Sequence, residues 1–170
     1  MKHLIKFIIF ITVSMQASDF KIAANTMNVQ DCEGGGISLF YSLNEKLLLE
    51  TSYNTFYIRG VQDGSTSENW NEYNTQRLGV RYYLKSYANN EIKLFVSAGA
   101  EHIYHDTSHT TKKPDLNTYG LLGLDFLVND NFNITFAFGS GGKGPTADKI
   151  NTDPNYAHGF NSVVGIEYTF

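Results

Sequence analysis

The sequence predicts an all-β fold, an eight-stranded antiparallel up-and-down transmembrane β-barrel. Three observations lead there. Apolar and non-apolar residues alternate with period two through almost every apolar segment after the N-terminus. The connections alternate between short Asn-rich turns and long polar loops. The non-apolar face is rich in glycine and other small residues rather than in the Lys, Glu and Thr of a solvated strand face.

The alternation is plain in Arg77–Lys85: Leu78, Val80, Tyr82 and Leu84 take one face, and Arg77, Gly79, Arg81, Tyr83 and Lys85 the other. Ile92, Leu94, Val96, Ala98 and Ala100 likewise oppose Lys93, Phe95, Ser97, Gly99 and Glu101. Leu122, Leu124 and Phe126 oppose Leu121, Gly123 and Asp125, and Phe132, Ile134, Phe136 and Phe138 oppose Asn133, Thr135, Ala137 and Gly139. The last segment sets Phe160, Ser162, Val164, Ile166, Tyr168 and Phe170 against Asn161, Val163, Gly165, Glu167 and Thr169. Strands are expected at 19–27, 35–43, 47–60, 74–87, 91–105, 117–128, 132–141 and 158–170. Most approach the roughly 9–11 residues a tilted strand needs to cross a bilayer. The first is the weakest pattern, because Met27 falls on the polar side.

Asn44-Glu45-Lys46, Ala88-Asn89-Asn90 and Asn129-Asp130-Asn131 are the tight turns. The remaining connections, about 28–34, 61–73, 106–116 and 142–157, are longer and polar. Counted back from Phe170, every short turn falls at one end of the barrel. This is the asymmetry of membrane barrels, with short periplasmic turns and long outer loops. The rival fold, a soluble lipocalin-type barrel, is apolar inside and polar outside. The small polar face decides against it: small residues suit the narrow interior of eight strands, and the nearly charge-free apolar face suits hydrocarbon. Tyr41, Tyr82, Phe126, Phe132 and Tyr168 on the periplasmic side, with Tyr57, Tyr104 and Phe160 on the outer side, are candidates for aromatic girdles.

The 170 residues suffice for one domain. Charged residues are 18% of the chain, below the roughly 25% of soluble domains. Mean hydropathy is −0.26, which in a barrel averages two opposed faces. Residues 1–17 read as a secretory signal peptide: Lys2 and Lys6, then the apolar run Phe7–Val13, then Ala17 before the expected cut. The run is shorter than the roughly 20 residues of a membrane helix, so an uncleaved anchor is the less favoured alternative. Losing Lys2 and Lys6 leaves 11 basic and 17 acidic residues, a formal −6, which argues against nucleic acid as a partner. Cys32 is the only cysteine, so it has no intrachain disulfide partner.

The chain ends Val164-Gly165-Ile166-Glu167-Tyr168-Thr169-Phe170. This alternating segment with a terminal Phe resembles the C-terminal signature read by the outer-membrane barrel assembly machinery. With the signal peptide, loop asymmetry and strand count, residues 18–170 resemble the small eight-stranded outer-membrane barrels of the OmpA/OmpX type. The resemblance is architectural and no motif names a subfamily. It implies a bacterial outer-membrane location, contact with outer-membrane lipid and a monomer. In such barrels an ion-pair network plugs the interior, and the same is expected here from Glu50, Arg77, Arg81, Lys93, Glu101, Asp125 and Glu167, with Lys21 and Lys85 also inward. Arg77 and Glu101 should sit higher, on neighbouring strands, than the other five.

A structural or surface-interaction role follows, with an extracellular ligand possible through loops 61–73, 106–116 and 142–157. No cofactor is expected. A narrow channel for ions or small solutes is the first alternative. The second is an enzyme acting on lipid A, because deacylases and palmitoyltransferases also use small barrels. The deacylase-like arrangement pairs a His with a Ser two residues on, but here Phe160 follows His158 at that spacing, Ser162 comes too late and Glu167 faces the other way. No enzyme is therefore expected. His102, His105 and His109 with Asp106 could make a metal site only at a bent mouth, since His102 and His105 point oppositely in a strand; solvated mouth residues are the favoured reading and no metal is assigned. Asp63–Glu68 lacks the spacing of an EF-hand loop. Trp70 reads as packing on the rim rather than as a partner anchor, and Lys112-Lys113 and Asp148–Ile150 are loop charges without assigned roles.

Overall fold

The computed structural model describes residues 20–29, 32–61, 68–105, 115–144 and 157–170. Eight antiparallel strands run β1 (Phe20–Val29), β2 (Cys32–Ser42), β3 (Leu47–Val61), β4 (Glu68–Tyr87), β5 (Ile92–His105), β6 (Asp115–Leu127), β7 (Phe132–Gly144) and β8 (Ala157–Thr169). Each pairs with its chain neighbours, and β1 pairs with β8 from Lys21↔Thr169 to Val29↔Asn161, which closes the barrel in simple up-and-down order. Closure leaves no unpaired sheet edge. The terminal seam is tied by Phe170 N–H donating to the Phe20 carbonyl at 3.3 Å, and on the other side of β8 Thr169 N–H donates to the Asn131 carbonyl at 2.8 Å.

The faces fall as the alternation requires. Arg77, Glu101, Asp125 and Glu167 are each at most 2% exposed, while Leu78 is 67%, Ile37 57% and Ile166 58% exposed. A water-soluble protein has the reverse arrangement. An outward apolar band around a charged interior is stable where the surroundings are hydrocarbon. Met27, which breaks the pattern of the first strand, points inward and is buried. On the outer face, Phe20–Tyr41, Phe132–Tyr168 and Tyr168–Phe170 ring pairs (centroids 5.2, 4.9 and 5.1 Å) gather at the short-turn end, and Phe138 stacks with Phe160 toward the other.

Two of the short turns use one device. Asn44 Oδ1 accepts from Lys46 and Leu47 N–H (2.9 and 3.0 Å), and Asn129 Oδ1 accepts from Asn131 and Phe132 N–H (2.9 and 3.0 Å). The third turn holds Ala88, Asn89 and Asn90 at positive φ (48°, 54° and 77°), a region that asparagine tolerates better than most residues.

The strands outrun the expected boundaries at the long-loop end. β4 begins at Glu68 rather than 74, so much of the expected loop 61–73 is ladder, from Phe56↔Tyr73 to Val61↔Glu68. β2 begins at Cys32, inside the expected connection 28–34, and β7 and β8 likewise extend into 142–157, to Gly144 and from Ala157. These ends carry no hydrophobic period in the sequence, so alternation does not find them. Cross-strand backbone bonds hold them instead. Lys85 is a second departure. A register shift between Tyr83 and Lys85 ends the strict alternation, and Lys85 is exposed at the rim, its ammonium 5.0 Å from the Tyr87 ring. The signal peptide 1–17, the segments 62–67, 106–114 and 145–156, and the side chains of Cys32, Tyr57, Trp70, Tyr104, His105 and His158 lie outside the described residues.

Inward glycines make room for inward rings. A Cβ on Gly123 would meet the Phe95 ring and lie 2.8 Å from the Phe136 carbonyl, and one on Gly34 would lie 2.7 Å from Phe56 Cδ1. Phe95 and Phe56 are fully buried in the space these glycines leave. Gly123→Ala is expected to lower the stability of the refolded barrel by about 1–3 kcal/mol, as overpacking does, and Phe95→Leu in the same chain to restore part of it. Urea unfolding in lipid vesicles, read by heat-modifiable gel migration, measures both.

Candidate functional site

The lumen is the part of the described structure where charged side chains converge. Its centre is Arg81, reaching inward from β4 between the Phe40 ring of β2 and the Phe95 ring of β5, with its guanidinium carbon 4.3 and 4.2 Å from their centroids. Arg81 Nη1 donates to Asp125 Oδ2 on β6 at 3.2 Å and to Glu167 Oε1 on β8. Asp125 is satisfied further by the hydroxyls of Tyr83 and Thr135, each donating at 2.6 Å. Lys21 Nζ stands 3.9 Å from Glu167 Oε2 and donates to the Tyr83 hydroxyl at 3.4 Å. Two cations and two carboxylates are thus held by β1, β4, β6 and β8. Removal from water would make any of them costly alone.

A second tier lies above. Arg77 Nε donates to Glu101 Oε1 at 2.8 Å, and the Arg77 guanidinium lies 4.7 Å from the Tyr119 ring. Arg77 and Glu101, expected higher on neighbouring strands, are direct cross-strand partners of β4 and β5. Between the tiers remains a cavity of about 20 Å³, lined by Asn25, Glu50, Arg77, Arg81 and Glu167 among others. That is room for about one water molecule. Arg77 Nη2 and Arg81 Nε make no hydrogen bond to protein, and a buried water commonly supplies such partners.

The seven expected network residues therefore separate. Arg81, Asp125 and Glu167 form one cluster, and Arg77 and Glu101 form a pair. Glu50 makes no ion pair among the described residues; its Oε2 accepts from the Ser97 hydroxyl at 3.0 Å. Lys93 faces Asp125 across the strands, but its ammonium lies 5.5 Å from the Tyr83 ring instead of on the carboxylate. Tyr83 and Thr135 complete the site. Their inward position follows from the alternation, but nothing in the sequence marks them as partners of Asp125. Phe40 is also inward, and no pattern in its segment singles it out.

The geometry bears on the other chemistries. Glu167 is committed to Arg81 inside, whereas Ser162 is directed to the outer face, opposite Phe138. The two do not share a surface on which a lipid could be cleaved. His105 and His109 belong to the undescribed side chains, and among the described residues no group of His, Cys, Asp and Glu could hold a metal ion.

No protein-family model matches the sequence, and no curated protein is similar to it. Solved structures do share its fold. The N-terminal β-barrel domain of Pseudomonas aeruginosa OprF aligns with TM-score 0.59 at 15% identity, covering 89% of this chain and 96% of that one. The outer membrane protein OprG from Pseudomonas aeruginosa aligns with TM-score 0.59 at 14% identity (90% and 96% covered). Neisserial surface protein A aligns with TM-score 0.59 at 11% identity (89% and 94% covered). At such identities the likeness is one of fold, and the chain is a closed eight-stranded antiparallel barrel built like the small outer-membrane barrels.

Proposed function

We propose that this chain is an outer-membrane barrel with a structural or surface-interaction role, its lumen plugged by ion pairs and its long connections displayed outside the cell. The observation that carries this reading is Arg81 clamped between Asp125 and Glu167 and sandwiched by Phe40 and Phe95. These five groups occupy the bore at one level, and the space above them is about 20 Å³. Eight strands leave no wide channel to begin with.

Delivery and partners follow from the same reading. Residues 1–17 direct export. Val164, Ile166, Tyr168 and Phe170 present the terminal signal to the assembly machinery; Val164, Ile166 and Phe170 are exposed on the lipid side. The connections at 62–67, 106–114 and 145–156, with the polar strand ends flanking them, form the surface through which an extracellular ligand would be met. The barrel acts as a monomer surrounded by lipid, without cofactor and without enzymatic activity.

Planar-bilayer recording tests the plug: the refolded protein is expected to show no steady openings, and sustained ion-selective openings altered by Glu101→Ala would establish a channel instead. Arg81→Met strands two buried carboxylates and is expected to cost about 3–5 kcal/mol in urea unfolding. Adding Asp125→Asn and Glu167→Gln to that variant should recover a substantial part, because the uncompensated charge is then gone. Deleting Phe170 is expected to slow assembly in cells, followed as the rate at which the heat-modifiable form appears in outer-membrane fractions. Normal assembly of the truncation would remove the terminal signal from this account.

A further inference from the structure

The short-turn end of the barrel opens into a vestibule of about 850 Å³ below the Arg81 cluster, on the side away from Arg77. Its walls carry Lys21, Lys46, Lys85 and Lys93 against the single carboxylate of Glu45. The chain as a whole is acidic, with a formal charge of −4, so this concentration of positive charge runs against the composition. Lys21 and Lys93 lie near the floor, their ammoniums 5.7 and 5.5 Å from the same Tyr83 ring, and Lys46 and Lys85 stand at the exposed rim.

Lys21 has its carboxylate partner, Glu167. Among the described residues, Lys46, Lys85 and Lys93 have no carboxylate within ion-pair distance. The inner arginines are paired and these three lysines are not, although Glu45 shares their wall. Ammoniums around one concavity repel each other and focus a positive potential into it. An anion with several oxygens relieves that repulsion, because each lysine donates as a point charge from a flexible stem and can reach a different oxygen. Phosphate, with its higher charge and more numerous acceptors, answers three such donors better than a carboxylate does.

We propose that the short-turn vestibule is a phosphate-binding site, held by Lys46, Lys85 and Lys93. The floor is closed by the Arg81 cluster, so the anion docks and does not pass through the barrel. Two sources supply that chemistry at this end: the headgroup phosphate of a phospholipid in the adjoining leaflet, and free phosphate in the aqueous compartment.

The test uses the barrel refolded in dodecyl maltoside micelles in phosphate-free buffer. Inorganic phosphate and dihexanoylphosphatidylglycerol are titrated separately by calorimetry, with the Lys46→Gln/Lys85→Gln/Lys93→Gln variant alongside. Saturable binding is expected, with affinity in the triple variant lower by about tenfold or more, and weakening with added sodium chloride as electrostatic contacts do. Binding of inorganic phosphate assigns the free anion, and binding of the lipid alone assigns the headgroup; either sustains the proposal when the triple variant loses it. Absence of saturable binding of both probes, or equal affinity in the triple variant, overturns it. Heat-modifiable migration verifies that the variant folds, and Lys46→Gln/Lys85→Gln, confined to the exposed rim, serves should Lys93 prove necessary for folding. Conductance does not enter this readout, so an open lumen would not by itself account for a failure here.

Discussion

The structure depends on the requirement that a charge taken from water into the barrel must meet its opposite or a hydrogen-bond partner there. Arg81 meets two, and the residues it binds are 44 and 86 positions away in the chain. Such a cluster adds little net stability over a well-packed apolar filling, since desolvation offsets most of the attraction. Its leverage lies in what it forbids. Slipping one strand by one residue would turn every inward side chain outward. For β4 that would carry Arg77 and Arg81 into hydrocarbon, at about 2–4 kcal/mol for each near the midplane. It would also strand Asp125, Glu167 and Glu101 behind them. The ion pairs act as a register lock whose strength comes from the cost of the alternatives.

The second constraint is volume. Eight strands enclose a bore that side chains only just fill, so each large inward group needs a small one facing it. Phe95 is accommodated at Gly123 and Phe56 at Gly34, while the Tyr119 hydroxyl occupies the place where a Cβ on Gly79 would stand. The aromatic rings serve the electrostatics as well: Phe40 and Phe95 cover both sides of the Arg81 guanidinium, and Tyr119 lies beside Arg77. Glycine placement and charge placement are therefore one pattern. Removing the glycines would displace the rings, and displacing the rings would loosen the arginines.

This coupling explains what was legible in the sequence. Period-two alternation fixes which side chains point inward, and it did so for Arg77, Arg81, Glu101, Asp125 and Glu167. Counting from the short turns placed Arg77 and Glu101 at a similar height on neighbouring strands, and the register then makes them direct partners. Contacts across the bore do not. That Arg81 takes both Asp125 and Glu167 depends on how the closed barrel brings β4, β6 and β8 together, and linear spacing does not encode this. Lys93 shows the difference: register sets it opposite Asp125, yet Tyr83 and Thr135 already serve that carboxylate and the ammonium lies over the tyrosine ring. Strict alternation misplaces Lys85 because one irregular residue in β4 interrupts the period. The outer strand ends read as loops because their sequence carries no hydrophobic period.

The proposed plug also bears on where activity can reside. Arg81 and its partners lie across the lumen, and with the bore plugged as proposed each end acts through its own surface. The ends differ in kind. The long-loop end carries polar ladders that extend past the apolar band, such as Glu68–Tyr73 against β3, and so projects hydrogen-bonded hairpins rather than bare loops. The short-turn end is trimmed by asparagine-capped turns and gathers lysines that the interior leaves unpaired. Inside, the cations are matched because hydrocarbon surrounds the wall and no counterion can reach them. At the mouth, water and mobile anions are within reach, and an unmatched ammonium costs little there until a ligand offers it something better than water.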